Sequence, residues 1–248
     1  MTHSLDWRVR KDDSALPLSD RLVVQGRRAG LLELSVCLLA DRQEASGGLG
    51  LLRALVAAST SEGIRRDTGI ISWLHWPDLV TIDGRVVATT RLSPAPRPES
   101  GRKTIVVARI SVNCFAPRSG EFSSLALPST SIRNALGVEI DVDLLRDKVL
   151  HALNWYHAEW ERGMRRKLVE RIRPTIAWLG RDVEVKMADG RALKGRAAGL
   201  DDEGSLLLEQ KNRGGRSTSL KIRPENVNLV RAVADVRRPL RMQTLSGT

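Results

Sequence analysis

Cysteine is scarce in this sequence, which argues against a fold held together by disulfides. The chain has two cysteines, Cys37 and Cys114, each inside an apolar run, LSVCLLA and ISVNCFA. Such positions are typical of reduced thiols buried in a core, so we expect neither a disulfide nor a metal site there. The four histidines are scattered without the spacing of zinc ligands, and we predict no metal.

Long apolar runs are also missing. No stretch of about 18 apolar residues occurs, which predicts that no helix crosses a membrane. The N-terminal stretch MTHSLDWRVRKDD lacks the apolar segment of a secretory signal. Together with the reduced cysteines, these features predict a cytoplasmic location. A length of 248 residues is enough for one sizeable core, or for a main domain with a small one.

Negative charge is outnumbered: 40 Lys and Arg residues against 29 Asp and Glu residues leave a formal net charge of +11. A basic chain is attracted to polyanions, so a nucleic-acid-associated protein is one hypothesis. The basic residues are spread along the chain, however, which is typical of a solvated surface. The densest cluster, RGMRRKLVERIR (162–173), alternates charge with Leu168, Val169 and Ile172, as an amphipathic helix does.

The pattern up to residue 116 predicts strands and one helix. RLVVQGRRAGLLELSVCLLAD (21–41) indicates two strands around a Gly-Arg-Arg turn, and GGLGLLRALVAASTSEG (47–63) indicates a helix that ends at a glycine. TGIISWLHWPDLVTIDGRVVATTRL (68–92) predicts a strand pair that turns at Asp83-Gly84, the strongest hairpin signal in the chain. KTIVVARISVNCFA (103–116) predicts another pairing strand.

A long helix is predicted over DVDLLRDKVLHALNWYHAEWERG (141–163), with Asp141 or Asp143 as its N-cap. Its expected apolar stripe comprises Leu144, Leu145, Val149, Leu153 and Tyr156. We expect Trp155, Tyr156 and Trp160 to serve helix packing, while a base-stacking platform is the alternative.

Beyond Pro174 the sequence consists of short strands and polar turns. The turns ADG, DDEG and NRGG recur between 179 and 231, a length typical of a small, SH3-like β-barrel. We therefore predict an α+β protein with a main domain over 1–175 and a barrel domain over 176–232. Residues 233–248 are predicted to form a flexible tail.

The order of these elements resembles the biotin protein ligase family over most of the chain. HWPDLVTIDGRVVAT (75–89) looks like the family's Lys-Trp-Pro-Asn-Asp strand and hairpin, which runs into Asp-Gly-Arg-Lys-Val-Ala-Gly. LLELSVCLL resembles its Gly-Leu-Tyr-Leu-Ser-Val strand, and RISVN its Gly-Ile-Asn-Val-Asn. TSIRNALGVEIDVDLLRDKVLHAL is similar to the family's Ser-Leu segment and the helix after it. LGRDVEVKMADGRALKGRAAGLDDEGSLLLEQ looks like its C-terminal barrel.

The resemblance implies a fold and an activity. The fold would be a mixed, mainly antiparallel sheet with flanking helices, followed by an SH3-like barrel. In the family, the Trp-Pro strand forms the floor of a pocket where ATP, with Mg, activates biotin to biotinyl-AMP. A lysine after the hairpin binds the reacting carboxylate and phosphate, where charge builds up, and a Gly-Arg-Gly-Arg loop covers the adenylate.

The resemblance also implies partners. Family members transfer biotin to a lysine of a carrier domain, so the expected partner is the biotin carrier domain of a carboxylase, or its lipoyl-type counterpart. The family commonly dimerises, which makes a homodimer the expected assembly. The barrel favours the biotin branch of the family over the lipoate branch.

At the chemical positions the sequence departs from the family. Alignment on Trp76, Pro77 and Ala88 puts Val86 at the catalytic lysine, and valine supplies neither a cation nor a hydrogen bond. Arg85 is adjacent, but neighbours on a strand point to opposite faces. The arginine-glycine loop survives only as a shortened QGRRAG (25–30). Further departures are His75, Leu79, Thr89, Glu33, Val107 and Arg109.

The resemblance implies a set of candidate residues for a ligand or an adenylate. They are Gln25, Gly26, Arg27, Arg28, Ser35, Trp76, Pro77, Asp78, Ala88, Arg109, Ser111 and Asn113. Each has a plainer alternative. Trp76-Pro77 would be core packing at a strand start, 25–28 an exposed hairpin turn, and Ser111 and Asn113 the outward positions of a strand.

Three functions remain open from the sequence. The first, which is the leading prediction, is a ligase that activates biotin or lipoate with ATP and transfers it to a carrier-domain lysine, with Arg27, Arg28 or Arg109 replacing the family's lysine. The second is a ligase-fold protein without catalysis, which binds a ligand or a carrier domain. The third is a basic nucleic-acid-associated protein. The simultaneous loss of several motif positions favours the second, because a lost cation alone costs orders of magnitude in rate.

Overall fold

A seven-stranded antiparallel sheet forms the main domain of the computed structural model, which describes residues 8–10, 23–28, 30–41, 49–94, 103–115, 122, 127–211 and 216–233. Its strands are β1 (Arg8–Arg10), β2 (Val23–Arg28), β3 (Leu31–Asp41), β4 (Trp73–His75), β5 (Leu79–Ile82), β6 (Arg85–Pro94) and β7 (Lys103–Asn113). They are arranged in the order β1-β2-β3-β7-β6-β5-β4. Parallel bridges join Leu74 to Ile176 and Val86 to Ser129, so the pairing is mixed but mainly antiparallel, as predicted.

The turns of this sheet confirm one prediction and correct another. Asp83 and Gly84 lie between β5 and β6 with φ values of 49° and 73°, as the Asp-Gly hairpin signal predicted. The predicted Gly-Arg-Arg turn is wrong, because 26–28 belong to β2 and pair with β3. The chain reverses one step later, where Gly30 has a φ of 86° that favours glycine.

Four helices are described: α1 (Gly50–Thr68), α2 (Ile132–Leu136), α3 (Val142–Glu161) and α4 (Arg165–Ile172). The prediction that Gly63 lies just past the end of this first helix is wrong, because α1 continues to Thr68 and its C-cap is Gly69. A Cβ on Gly63 would lie 2.5 Å from Cγ2 of Val149 on α3. Gly63 therefore permits the close contact of two helices.

The predicted long helix is confirmed as α3, with Asp141 as its N-cap. The Asp141 carboxylate accepts hydrogen bonds from the backbone N–H groups of Asp143 and Leu144 at 2.9 and 3.1 Å. The predicted apolar stripe is buried except for Leu144, which is 46% exposed, so its assignment to the core is wrong. Leu144 lies in the first turn of the helix, where its neighbour Leu145 occupies the core position instead.

The C-terminal domain is a second antiparallel sheet of five strands, as the SH3-like prediction required. Its strands are β8 (Asp182–Met187), β9 (Ala192–Leu200), β10 (Leu206–Lys211), β11 (Ser217–Ile222) and β12 (Val227–Ala232), in the order β11-β10-β9-β8-β12. Residues 234–248, which include most of the predicted tail, lie outside the described residues.

Both cysteines are free thiols, Cys114 buried and Cys37 only partly so, because Cys37 lies on the sheet face away from the helices. Within the described ranges, no three His, Cys, Asp or Glu side chains are placed to hold a metal ion. Of the four described helices, none is both long and apolar enough to cross a membrane.

Candidate functional site

The two faces of the main sheet differ in what covers them. Even-numbered residues of β3 and β7 are buried in the core that α1 and α3 cover. They include Leu32, Leu34, Val36, Leu38, Val106, Ala108, Ile110 and Val112. Odd-numbered residues point to the opposite face, because side chains alternate along a strand. We call this second face the open face; it bears Glu33, Ser35, Cys37, Arg109, Ser111, Asn113, Thr89 and Arg91.

The strand register brings several predicted residues together on the open face. Ser35 of β3 lies opposite Arg109 of β7, and Arg109 lies opposite Arg91 of β6. One step along, Glu33, Ser111 and Thr89 form the next row. Arg91 and Arg109 are exposed, while Ser111 and Thr89 are buried. The open face thus has an exposed arginine end and a covered end.

Val86 lies at the covered end inside a separate apolar cluster. We call this the Val86 cluster; its members are Leu31, Val86 and Phe122, with Leu79 and Leu127 packed against them. Val86 is 0% exposed. A bulge shifts the β5–β6 register between Val80 and Thr81, so Val86 pairs with Thr81 and shares the open face with Thr89. The position that aligns with the family lysine is therefore filled by hydrocarbon.

Backbone hydrogen bonds also hold Val86 in place. Its N–H donates to the carbonyl of Pro128 and its carbonyl accepts from the N–H of Thr130, both at 2.8 Å. Asn113, also buried, donates from Nδ2 to the Thr130 carbonyl at 3.0 Å. Its Oδ1 has no hydrogen-bond partner within the described part of the chain. The segment 128–130 thus closes this end of the face.

Trp76 lies in the main core, away from the open face. Its indole N–H donates to the Gly204 carbonyl at 2.9 Å. Its ring packs edge to face against that of Trp178, with 6.4 Å between the ring centroids. Next to it, Nε2 of His75 lies 2.6 Å from the Val230 carbonyl. Trp76 is thus packed in the core, as the plainer alternative for this residue had it, and the Trp-Pro strand also joins the main domain to the C-terminal domain, which the sequence did not predict. The Trp76–Pro77 peptide bond is cis.

Two further predicted residues lie close to this strand. Ala88 is buried in the main core opposite Val112, so it belongs to the helix-covered side of the sheet. Asp78 is half-buried, and its backbone carbonyl accepts hydrogen bonds from the N–H and hydroxyl of Thr90 at 2.8 and 3.1 Å. Burial raises the pKa of the Asp78 carboxyl, while the charges of Arg53 and Arg91 lower it.

The predicted adenylate loop has become part of a strand. Gln25, Gly26, Arg27 and Arg28 pair with Leu34, Glu33, Leu32 and Leu31 of β3. Backbone N–H groups can cradle an adenylate only where they are free of a strand ladder. Pairing with β1 reaches only as far as Gln25, so among the described strands 26–28 pair with β3 alone; the stretch is the edge of a sheet and not a loop that folds over a ligand.

Carboxylates compensate the basic cluster at 162–173 locally. Glu159 pairs with Arg162 at 2.6 Å and with Lys167 at 3.0 Å. Arg166 pairs with Glu170 at 3.2 Å, and Arg171 pairs with Glu62 at 3.5 Å. The guanidinium of Arg171 also lies 4.4 Å from the centroid of the Trp155 ring. The cluster therefore serves helix packing, which weakens the nucleic-acid hypothesis.

Sequence reasoning missed Arg91 and the neighbours of Val86. Arg91 is identified only by its register opposite Arg109. Phe122 and Leu127 come from a segment without a recognisable pattern, and their contact with Val86 is a tertiary one. The sequence of β6 does not reveal the position of Arg91, because Thr89, Thr90 and Arg91 are three consecutive polar residues without alternation.

Comparisons with known proteins place this fold. Residues 178–224 match the family model of the biotin protein ligase C-terminal domain. A crystal structure of biotin protein ligase from Aquifex aeolicus matches with a TM-score of 0.63 and 19% identity, covering 81% of this chain and 82% of that one. The same enzyme in complex with biotin and ATP matches with a TM-score of 0.64 and 20% identity, covering 82% and 79%.

A third match is a biotin protein ligase-like protein of unknown function from a Silicibacter species, with a TM-score of 0.60 and 15% identity, covering 82% of this chain and 83% of that one. No curated protein matches the sequence significantly. The chain has the fold of the biotin protein ligases, and its residues 178–224 match the C-terminal domain of that family.

Proposed function

We propose that this protein is a ligase-fold binding protein that holds a small acid or a carrier domain without activating the acid with ATP. One observation carries the proposal: Val86, at the position of the family lysine, is completely buried in the Val86 cluster. Adenylate formation builds negative charge on the transferring groups, and a fixed cation must meet that charge. Hydrocarbon at this position cannot do so.

The surroundings of Val86 make a rearranged lysine site unsuitable as well. Leu31 and Phe122 are 6% and 1% exposed, so the space that a lysine head group needs is occupied. An unpaired ammonium buried there would cost several kcal/mol. Together with the loss of the loop at 25–28 to β2, this means that the residues present do not fit ATP and Mg as the family uses them.

Binding is the part of the family's function that the open face can retain. The Aquifex aeolicus enzyme was crystallised with biotin and ATP, and biotin or a related acid such as lipoate is the ligand we carry over to this chain. Arg109 is exposed, Ser35 is half-buried and Ser111 is buried next to the Val86 cluster, so the Arg109 guanidinium and the Ser35 hydroxyl are the donors that can meet a carboxylate. A biotin carrier domain or a lipoyl-type domain is the proposed macromolecular partner.

An active ligase is the second candidate, and Arg109 favours it. It is an exposed cation on the same face as Val86, so a displaced acid could use it in place of the lysine. A cytoplasmic location and a homodimer are predictions that accompany either candidate. The paired charges of 162–173 leave nucleic acid as the weakest partner.

The deciding experiment is ATP–pyrophosphate exchange on the purified full-length protein with biotin, lipoate and octanoate in turn, and the Aquifex aeolicus enzyme as positive control. We expect no exchange above background, together with ligand-dependent melting by at least one acid or binding of a carrier domain. Exchange that depends on biotin and is lost in Arg109→Gln would replace this proposal with the active-ligase candidate.

A further inference from the structure

Arg91 and Arg109 form a like-charge pair at the exposed end of the open face. They lie directly opposite each other on neighbouring antiparallel strands, so their Cβ atoms are about 5 Å apart. Both side chains are exposed. Like charges in this arrangement destabilise a sheet, and such a pair costs free energy unless an anion lies between the two groups.

The described residues supply little compensating charge. No carboxylate among them lies within 4.0 Å of either guanidinium, whereas most arginines of the basic cluster are paired at such distances. Asp78 acts on Arg91 at longer range, but Arg53 shares this carboxylate. Glu33 is in the next row of the register, opposite Ser111, so it is diagonal to Arg109.

Hydroxyl donors flank the pair. Ser35 lies opposite Arg109 on β3, and Ser111 lies two residues further along β7. The Val86 cluster closes the face beyond Ser111. The register places two exposed guanidiniums next to the half-buried Ser35 and the buried Ser111, with an apolar wall beyond them, so donors for several oxygen atoms lie in neighbouring rows.

We propose that Arg91 and Arg109 together bind the phosphate group of a small phosphorylated molecule. A phosphate monoester carries a charge near −2 at neutral pH and three accepting oxygens, so it can neutralise both guanidiniums at once. A single carboxylate neutralises only one of them. The inference rests on the proposed function in one respect: this face holds a ligand.

The test is isothermal titration calorimetry of the full-length protein with inorganic phosphate, at constant ionic strength in chloride. The variants are Arg91→Gln and Arg109→Gln, and the matched control is Arg85→Gln, which removes an exposed arginine from the same strand at the hairpin tip. We expect millimolar or tighter binding, weakened about tenfold or more in each test variant and unchanged in the control. Malonate serves as the dicarboxylate comparison.

A second readout guards against a loss of folding. Without phosphate and at low salt, Arg91→Gln and Arg109→Gln should melt at or above the wild-type temperature, because each removes the repulsion. Phosphate should raise the melting temperature of the wild type and of Arg85→Gln only. Equal phosphate binding by wild type and both test variants, or tighter binding of malonate than phosphate, would overturn the inference.

The two proposals fail in different ways. Biotin-dependent pyrophosphate exchange would refute the proposed function and leave the phosphate result standing. Absence of arginine-dependent phosphate binding, with no exchange, would refute this inference and leave the proposed function standing.

Discussion

The indole N–H of Trp76 donates to the backbone carbonyl of Gly204 across the contact between the main domain and the C-terminal domain, at 2.9 Å. Gly204 has a φ of 80°, and a Cβ there would lie 2.2 Å from the backbone nitrogen of Leu51 at the start of α1. The Trp-Pro strand, the first helix and the loop of the C-terminal domain therefore meet at one point.

Removal of this hydrogen bond should weaken the contact between the domains. We expect Trp76→Phe to lower the free energy of unfolding by about 1–3 kcal/mol, because the buried carbonyl of Gly204 loses its donor. Urea unfolding followed by circular dichroism measures the loss. The control is Trp73→Phe, since Trp73 is 39% exposed, and we expect a change within about 0.5 kcal/mol. Equal losses in both variants would contradict the role assigned to Trp76.

Introduction of the family's lysine at Val86 should destabilise the protein without creating a ligase. We expect Val86→Lys to cost about 3 kcal/mol or more, since it buries an ammonium among Leu31 and Phe122. Val86→Ala is the comparison, with an expected loss of about 1–2 kcal/mol from the deleted methyl groups. A Val86→Lys protein as stable as the wild type and active in pyrophosphate exchange would show that the cluster can open around a cation.

For Gly63→Ala we expect a change in stability opposite in sign to the one that helix propensity predicts. Alanine in place of glycine inside a helix normally stabilises it by about 1 kcal/mol. Here we expect Gly63→Ala to destabilise the protein by about 1–3 kcal/mol, because the added Cβ would lie 2.5–2.8 Å from atoms of Val149, including its backbone. Thermal or urea unfolding gives the sign directly. A stabilised variant would mean that α1 and α3 separate at no cost.

His75 should make stability depend on pH. Burial lowers its pKa below the ordinary value of 6.5, while the hydrogen bond to Val230 acts in the opposite direction. Below pH 6.5 His75 is protonated in the unfolded chain but stays neutral in the folded chain. The contribution of His75 to the free energy of unfolding is therefore fully present above pH 6.5 and is lost as pH falls towards the folded-state pKa. The free energy of unfolding between pH 7.5 and 5 measures it.

The matched variant for the pH experiment is His75→Gln, which keeps a polar side chain but does not titrate. We expect a smaller loss of stability on acidification in this variant than in the wild type. Parallel curves for the two proteins would show that groups other than His75 dominate the loss. The half-buried Asp78 carboxyl acts in the opposite direction, because its raised pKa adds stability as pH falls.

Local chemistry let the sequence predict much of the fold. The Asp83-Gly84 turn requires two residues that tolerate positive φ, and the Asp141 cap requires a side-chain acceptor before a helix, so both could be recognised without neighbours. The two-residue period of β7 likewise indicated that Ser111 and Asn113 share a face of the strand, while their pairing with β3 is a tertiary feature. The recurring polar turns and the order of the motifs likewise predicted the antiparallel C-terminal domain.

Contacts between distant segments decided the rest. The extension of α1 through Gly63 depends on Val149, 86 positions later in the sequence, and the position of Trp76 depends on Gly204, 128 positions later. The bulge in β6 turned Val86 towards Phe122, and the register of β6 and β7 set Arg91 beside Arg109. The sequence by itself determined which elements form, because turns, caps and alternation are local. Tertiary packing decided that Val86, at the position of the family's lysine, is buried by apolar side chains, and that Arg91 and Arg109 lie side by side in solvent. Burial and strand register both depend on residues far apart in the chain.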